Sequence, residues 1–227
     1  MARRKKQTAK KEETLVDIVE AKESAQDYFE RNKVLVLGIV GALVIIIGGY
    51  LFYDLLVKTP NENAAKEAMY RAEEQFARDS FALALENPGA GFDGFLDIID
   101  NYPGTSAANL AKYYSGVSYL NLGRFEAAIE YLDDFSPAGD VTPIMKNGAL
   151  GDAHSELGDL DKALNLYKKA ADSDNEFLTP YYLKKYGLLA ERQGDNAAAQ
   201  EAYTKIKENY PNSLEALDIE KYIAEKQ

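Results

Sequence analysis

A recurring register of small residues in the C-terminal two thirds most constrains how this chain can fold. SGVSYLNLGRFEAAIEYL (115–132), LGDAHSELGDLDKALNLYKKA (150–170) and YGLLAERQGDNAAAQEAYTKI (186–206) align on a central glycine, at Gly123, Gly158 and Gly194. These glycines stand 35 and 36 residues apart. The same register superposes Gly116, Gly151 and Gly187, then Ala128, Ala163 and Ala199, then Leu132, Tyr167 and Tyr203. A period of this length marks a stack of helical units, none of which can bury its apolar face alone. Each unit reads as two helices joined at a glycine that supplies positive φ. Small residues at the aligned helical positions allow close approach, and Leu, Tyr and Ile fill the space between units.

A fourth, worn copy lies upstream. GFDGFLDIIDNYPGTS, beginning at Gly91, matches the stretch that ends in NYPNS at 209–213, and NYP itself recurs 108 residues on. Its first helix is expected within Ala64–Leu85, with ENPGAG as a longer turn than in its siblings. Pro103 and Pro211 end second helices. SLEALDIEKYIAEKQ is expected to form a final helix, polar outside, that caps the stack.

This order of residues resembles the tetratricopeptide repeat: small, aromatic, turn glycine, alanine, aromatic, proline. The chain gives Gly116, Tyr119, Gly123, Ala128, Leu132; then Gly151, His154, Gly158, Ala163, Tyr167; then Gly187, Ala190, Gly194, Ala199, Tyr203, Pro211. The resemblance covers roughly residues 64 to 211. It departs where His154 and Ala190 replace an aromatic, and at weak first-helix tryptophan positions.

The second constraint is VLVLGIVGALVIIIGGYLFY, residues 34–53, which holds no charge and has thirteen Leu, Ile, Val or Phe. Twenty helical residues span about 30 Å, the hydrocarbon thickness of a bilayer. A signal peptide would have a shorter apolar run and a small-x-small site, and YDLLVKTP has none. A core helix seldom runs twenty residues without a polar one. The stretch reads as an uncleaved transmembrane helix, bounded by Val34 and Tyr53. Tyr50 and Tyr53 suit its interface, and Gly38, Gly41, Ala42, Gly48 and Gly49 are small enough to pack against another membrane helix.

The expected fold is therefore all-α: a single transmembrane helix, then an α-solenoid of about four helix pairs with a C-terminal capping helix. The expected domains are a basic arm and amphipathic helix at 1–33, the span at 34–53, a linker at 54–63 and the repeat domain at 64–227. In the arm, Thr14 would cap TLVDIVEAKESAQDYFERN, with Asp17 three residues on. Leu15, Ile18, Ala25 and Phe29 would share its face.

Charge bears on orientation. Residues 1–33 carry nine Lys/Arg and seven Asp/Glu, with six of the nine in MARRKKQTAKK. Residues 54–227 carry 17 basic and 30 acidic residues. Basic residues near the span tie: Lys22, Arg31 and Lys33 before it, Lys58, Lys66 and Arg71 after it. The basic terminus tips the balance toward a cytoplasmic N-terminus. The acidic region argues against nucleic acid and against lying on anionic lipid.

The chain offers little catalytic chemistry. It has no Cys and one His, His154, so the usual triads and zinc sites cannot be assembled. His154 stands at a repeat packing position. Asp133–Asp134 and Asp159 with Asp161 read as loop and helix-start acids. There is no Gly-rich phosphate loop. No enzyme, cofactor, metal or small-molecule substrate is read.

The functional surface is expected on the concave face, built from first helices. By resemblance it would present Leu110, Tyr113, Val117 and Leu120, then Met145, Asp152 and Ser155, then Tyr181, Lys184, Leu188 and Glu191. Tetratricopeptide proteins that grip chaperone tails place Lys and Asn where Tyr113 and Val117 stand, so a carboxylate clamp is not expected. A tyrosine-bearing groove suits an extended or helical segment of a protein partner.

DYFERNKVLVLGIVGALVIIIGGYLFY further resembles the YfgM-like proteins of bacteria, through Tyr28, Phe29, Asn32, Gly38, Gly41, Gly48 and Tyr50. That likeness implies an ancillary subunit of the Sec translocon in the inner membrane, with its repeat domain in the periplasm. Its implied partners are translocon subunits and a membrane-anchored chaperone of the prolyl-isomerase type. The other readings are an adaptor in another cell-envelope or secretion complex, and a cytoplasm-facing receptor if the orientation is inverted.

Overall fold

A computed structural model describes residues 2–224, with side chains at Lys22 and from Gln26 to Ile223. The chain divides between Thr59 and Pro60 into two compact units.

The first unit is dominated by α1 (Ala2–Tyr53), which leaves helical geometry at Asn32 (φ −117°, ψ 16°). There the Asn32 amide Nδ2 donates to the Tyr28 carbonyl at 2.9 Å. A side chain inserted into the backbone ladder is a recognised origin of a helix kink. The arm helix begins at Ala2 rather than at a Thr14 cap. The expected side-chain face of Leu15, Ile18 and Ala25, and the basic side chains of MARRKKQTAKK, lie outside the described residues. A π-helical turn, Asp54–Lys58, follows, so the stretch expected as a linker begins helically.

None of the side chains from Val34 to Val57 is buried, and a Cβ added to Gly38, Gly41, Gly48 or Gly49 would meet nothing within 4 Å. Val34 is among the most exposed apolar residues, and Tyr53 is exposed at the other end. The helix is long and apolar enough to cross a membrane.

The second unit is a run of helices: α2 (Thr59–Phe76), α3 (Phe81–Glu86), α4 (Phe95–Asn101), α5 (Ser106–Asn121), α6 (Phe125–Asp134), α7 (Thr142–Glu156), α8 (Leu160–Ala170), α9 (Leu178–Arg192), α10 (Asn196–Asn209) and α11 (Ile219–Ala224). The pairs α5–α6, α7–α8 and α9–α10 are the three registered copies. Each first helix closes by the same pair of backbone bonds. In the middle copy the Gly158 N–H donates to Ser155 and the Asp159 N–H to His154, at 3.1 and 2.9 Å. This is the Schellman closure, which needs a left-handed residue at its centre. Gly123, Gly158 and Gly194 take φ of 71°, 81° and 85°.

The upstream copy differs from expectation. Its first helix, expected within Ala64–Leu85, is α2, which starts earlier, at Thr59, and ends at Phe76 inside that stretch. It ends by the same closure, with Ser80 N–H on Gln75, Asp79 N–H on Phe76, and Asp79 at φ 56° in the glycine's place. The turn is thus at Asp79 and not at ENPGAG. The second helix starts at Phe81, is interrupted after Glu86, and resumes as α4. Ala72, Ala84 and Phe95, all fully buried, take the places of Gly151, Ala163 and Tyr167. Gly94 makes this possible, because a Cβ there would overlap the Leu85 carbonyl. α4 and α10 then end alike. Tyr102 and Tyr210 have φ of −126° and −128°, and their N–H groups reach Ile98 and Ile206 at 3.1 and 3.0 Å.

The core follows the repeats. Ala65, Met69 and Ala72 of α2 cluster with Phe95, Ile98, Ala107 and Ala111. Phe95 stacks on Tyr114 at 5.0 Å. Farther along, Tyr167, Tyr182, Tyr203 and Ile206 share a cluster with Ile219 of α11. The expected single capping helix from Ser213 is a 3-10 turn, Glu215–Leu217, followed by α11. The break falls at Asp218, whose carboxylate accepts from Lys184 at 2.7 Å and pairs with Lys221 at 3.2 Å. Residues 225–227 lie outside the described residues.

Candidate functional site

The first helices α5, α7 and α9 bound a cleft of about 660 Å³ on the repeat unit. Leu120, Asp152, Ser155, Leu188 and Arg192 line it, together with Tyr167 from α8. The approach of α9 to α7 depends on Gly148, since the Tyr182 ring fills the space a Cβ there would need.

Asp152 organises the floor. Lys185 donates to both its carboxylate oxygens, at 2.7 and 2.8 Å, and the Tyr167 hydroxyl donates to Oδ1 at 2.7 Å. The Lys185 ammonium also sits 4.8 Å from the Tyr181 ring centre and 5.7 Å from that of Tyr167. A charge pair with two aromatic faces on a half-buried lysine is stronger than an open surface pair. Burial pushes the Tyr167 hydroxyl well above the usual phenol range, and the Asp152 charge and hydrogen bond push it further. Burial likewise raises Tyr113, to about 12, with Tyr114 and Asp152 adding to it. Burial disfavours the Lys185 ammonium, but Asp152 and Tyr181 more than offset this and hold its pKa above the usual value.

The expected groove residues divide. Asp152, Leu120, Leu188 and Ser155 line the cleft. Tyr181 is not among the lining residues; it is exposed, carries the Lys185 ammonium on its ring and meets Tyr182 edge-on at 5.0 Å. Tyr113 and Val117 pack against Leu132, Ala149 and Leu150. Leu110 packs on the Phe95 cluster, and Met145 is half-buried on α7. Glu191 accepts from the Tyr203 hydroxyl at 3.1 Å. Lys184 is turned to Asp218 and the Tyr222 ring, where it ties α9 to the cap.

Lys185, Tyr167 and Arg192 were not expected in the cleft. For Lys185 and Arg192, both on α9, the signal was angular. At 100° per residue, 181, 185, 188 and 192 fall within about 60° of one another, a tighter stripe than 181, 184, 188 and 191. His154 is held by Asp159, 3.2 Å from its Nδ1. That hydrogen bond, with Lys162 beside it, holds the Asp159 carboxyl below its ordinary pKa.

A family model described as tetratricopeptide repeat matches residues 149–213, and a second of the same description matches 110–136. These stretches carry the three registered copies, and the upstream copy lies outside both. Comparison with curated protein sequences returns no match. The chain carries tetratricopeptide repeats in an all-helical fold, preceded, among the described residues, by one helix long and apolar enough to cross a membrane. Such repeats make it a protein–protein interaction scaffold, and proteins of this build are generally non-catalytic.

Proposed function

We propose that this protein is a membrane-anchored scaffold at the bacterial Sec translocon. Its repeat unit works on the periplasmic side, binding a chaperone of the prolyl-isomerase type and assisting newly exported proteins. The observation that carries the binding role is the cleft over α5, α7 and α9. Its floor is ordered by Asp152, Lys185 and Tyr167, while Leu188, Tyr181 and Arg192 remain accessible to a partner. Pre-ordering reduces the entropy lost on binding. The membrane role rests on the exposed apolar helix, and the translocon assignment on the likeness through Tyr28, Phe29, Asn32 and the span glycines. The bond from Asn32 to Tyr28 gives two of those residues a joint role in the kink.

The test is recovery of the full-length protein in mild detergent, with partners identified by mass spectrometry. Near-stoichiometric translocon subunits with a periplasmic chaperone are expected. A different envelope machine without channel subunits would replace the translocon assignment with the adaptor reading. The tie of basic residues around the span leaves one further reading standing, a cytoplasm-facing receptor. Protection of the repeat unit from protease added to intact spheroplasts would establish that orientation and exclude the periplasmic one.

A further inference from the structure

We propose that the edge of the repeat unit formed by its inter-repeat loops docks a basic amphipathic helix of a partner protein. It stands apart from the cleft reading and uses different residues.

Just before α7, α9 and the capping 3-10 turn stand Val141, Phe177 and Leu214, 36 and 37 residues apart. All three have αR backbone geometry at the start of a helix, so they are the same position of successive units. Each is a large apolar side chain facing solvent, with 43%, 83% and 80% exposure. Their loops are neighbours. One hollow is shared by Asp140 and Ile144 with Asp174 and Asn175, and the next by Phe177 with Tyr210 and Leu214. The Tyr210 hydroxyl bonds the Ser173 carbonyl at 3.3 Å, fixing the second contact.

A repeated exposed apolar position is unlike scattered surface hydrophobics, which need no explanation. The charge around it defines the partner. The loop segments 135–141, 171–177 and 210–217 contain no Lys or Arg. Asp140, Asp172, Asp174, Glu176 and Glu215 lie in them, and none forms an ion pair among the described residues. Apolar knobs among unpaired carboxylates complement an apolar stripe flanked by Lys or Arg. Packed helices lie about 8–10 Å apart, and seven residues of helix rise about 10.5 Å. Apolar side chains one heptad apart therefore match one knob per repeat.

The test uses the full chain in nanodiscs of zwitterionic lipid, with empty discs as blank. The probe is a fluorescent helical peptide of Lys and Ala carrying Leu at every seventh position, followed by anisotropy. Binding is expected, weakening as salt rises and falling about tenfold in Phe177→Ser/Leu214→Ser. No binding, or equal binding of a twin peptide with Glu for Lys, would overturn the proposal. Loss of binding in Lys185→Met but not in the edge variant would move the peptide to the cleft, overturning the edge while leaving the cleft reading intact. A dimer in sedimentation that the edge variant abolishes would make the edge a self-contact and also overturn it.

Discussion

The Tyr167 ring occupies the space beside Gly151, its Cδ1 and Cε1 atoms 2.7 Å from where a β-carbon would stand. The same relation joins Gly116 to Leu132 and Gly187 to Tyr203, each at 2.5 Å. A first helix and its second helix are thus locked sixteen residues apart by one small and one large residue. Gly151→Ala gains about 1 kcal/mol of helix propensity but forces the ring from its place. Overpacking costs about 1–3 kcal/mol, so a net destabilisation of about 1 kcal/mol is expected. Urea unfolding of the single variant and of Gly151→Ala/Tyr167→Leu checks it. The smaller side chain should recover part of the loss, and equal losses would show that the ring is not the obstacle.

Lys185→Met removes the cation from a carboxylate that is partly shielded from water. Exposed pairs are worth about 0.2–1 kcal/mol, and breaking a buried pair costs about 3–5 kcal/mol. With 28% exposure on both partners, a loss of about 2 kcal/mol is expected. Asp152→Asn in the same chain should restore much of it, because the orphaned charge is then gone. A double-mutant cycle in urea reads this coupling.

Stability should fall in alkali. Tyr113, Tyr167 and Tyr182 all have hydroxyls raised by burial first, with Asp152 contributing to each. The folded chain keeps their protons where the unfolded chain, with phenols near about 10, releases them. Their stabilisation is full below that pH and lost as pH climbs toward about 12 for Tyr113. Lys185 acts in the same direction, its contribution being full below its unfolded pKa and lost as pH rises through the elevated folded value. Urea midpoints should drop steeply above pH about 10, and Tyr167→Phe should flatten the drop. A midpoint indifferent to pH in that range would contradict the buried placement of these hydroxyls.

The three registered copies were legible because a left-handed turn selects glycine so strongly that Gly123, Gly158 and Gly194 mark themselves. The upstream copy was half hidden for the same reason. Asp79 takes the turn at φ 56° without being glycine, and the extra loop before Gly94 moves Phe95 sixteen residues from the turn, where Tyr203 is nine from Gly194. The pairing of Asp152 with Lys185 was missed because Lys184 and Lys185 are adjacent, and only the tighter angular stripe through 181, 185, 188 and 192 tells which of the two faces α7. Aspartate in the left-handed region carries a cost of about 1 kcal/mol that glycine does not. Asp79→Gly should therefore raise stability slightly, while Gly158→Ala, with open space around it, should lower it by about 1–2 kcal/mol through backbone strain alone. Thermal melts of the two variants should move in opposite directions.

The absence of cysteine makes the chain's orientation directly readable. Single cysteines at Asp27 and Ser136 lie on opposite sides of the apolar helix in sequence, and both positions are exposed. If residues 34–53 cross the bilayer with the N-terminus inside, a membrane-impermeant maleimide added to spheroplasts should label Ser136→Cys and leave Asp27→Cys untouched until the membrane is opened. The reverse pattern would invert the orientation and place the cleft and the acidic loop edge in the cytoplasm. Equal labelling of both would show that the apolar helix does not cross at all. A further substitution, Ile46→Arg, places a charge at mid-helix, which costs about 2.5–3.5 kcal/mol for insertion. It should shift the chain out of the membrane fraction, whereas a helix anchored only through protein contacts would keep it there.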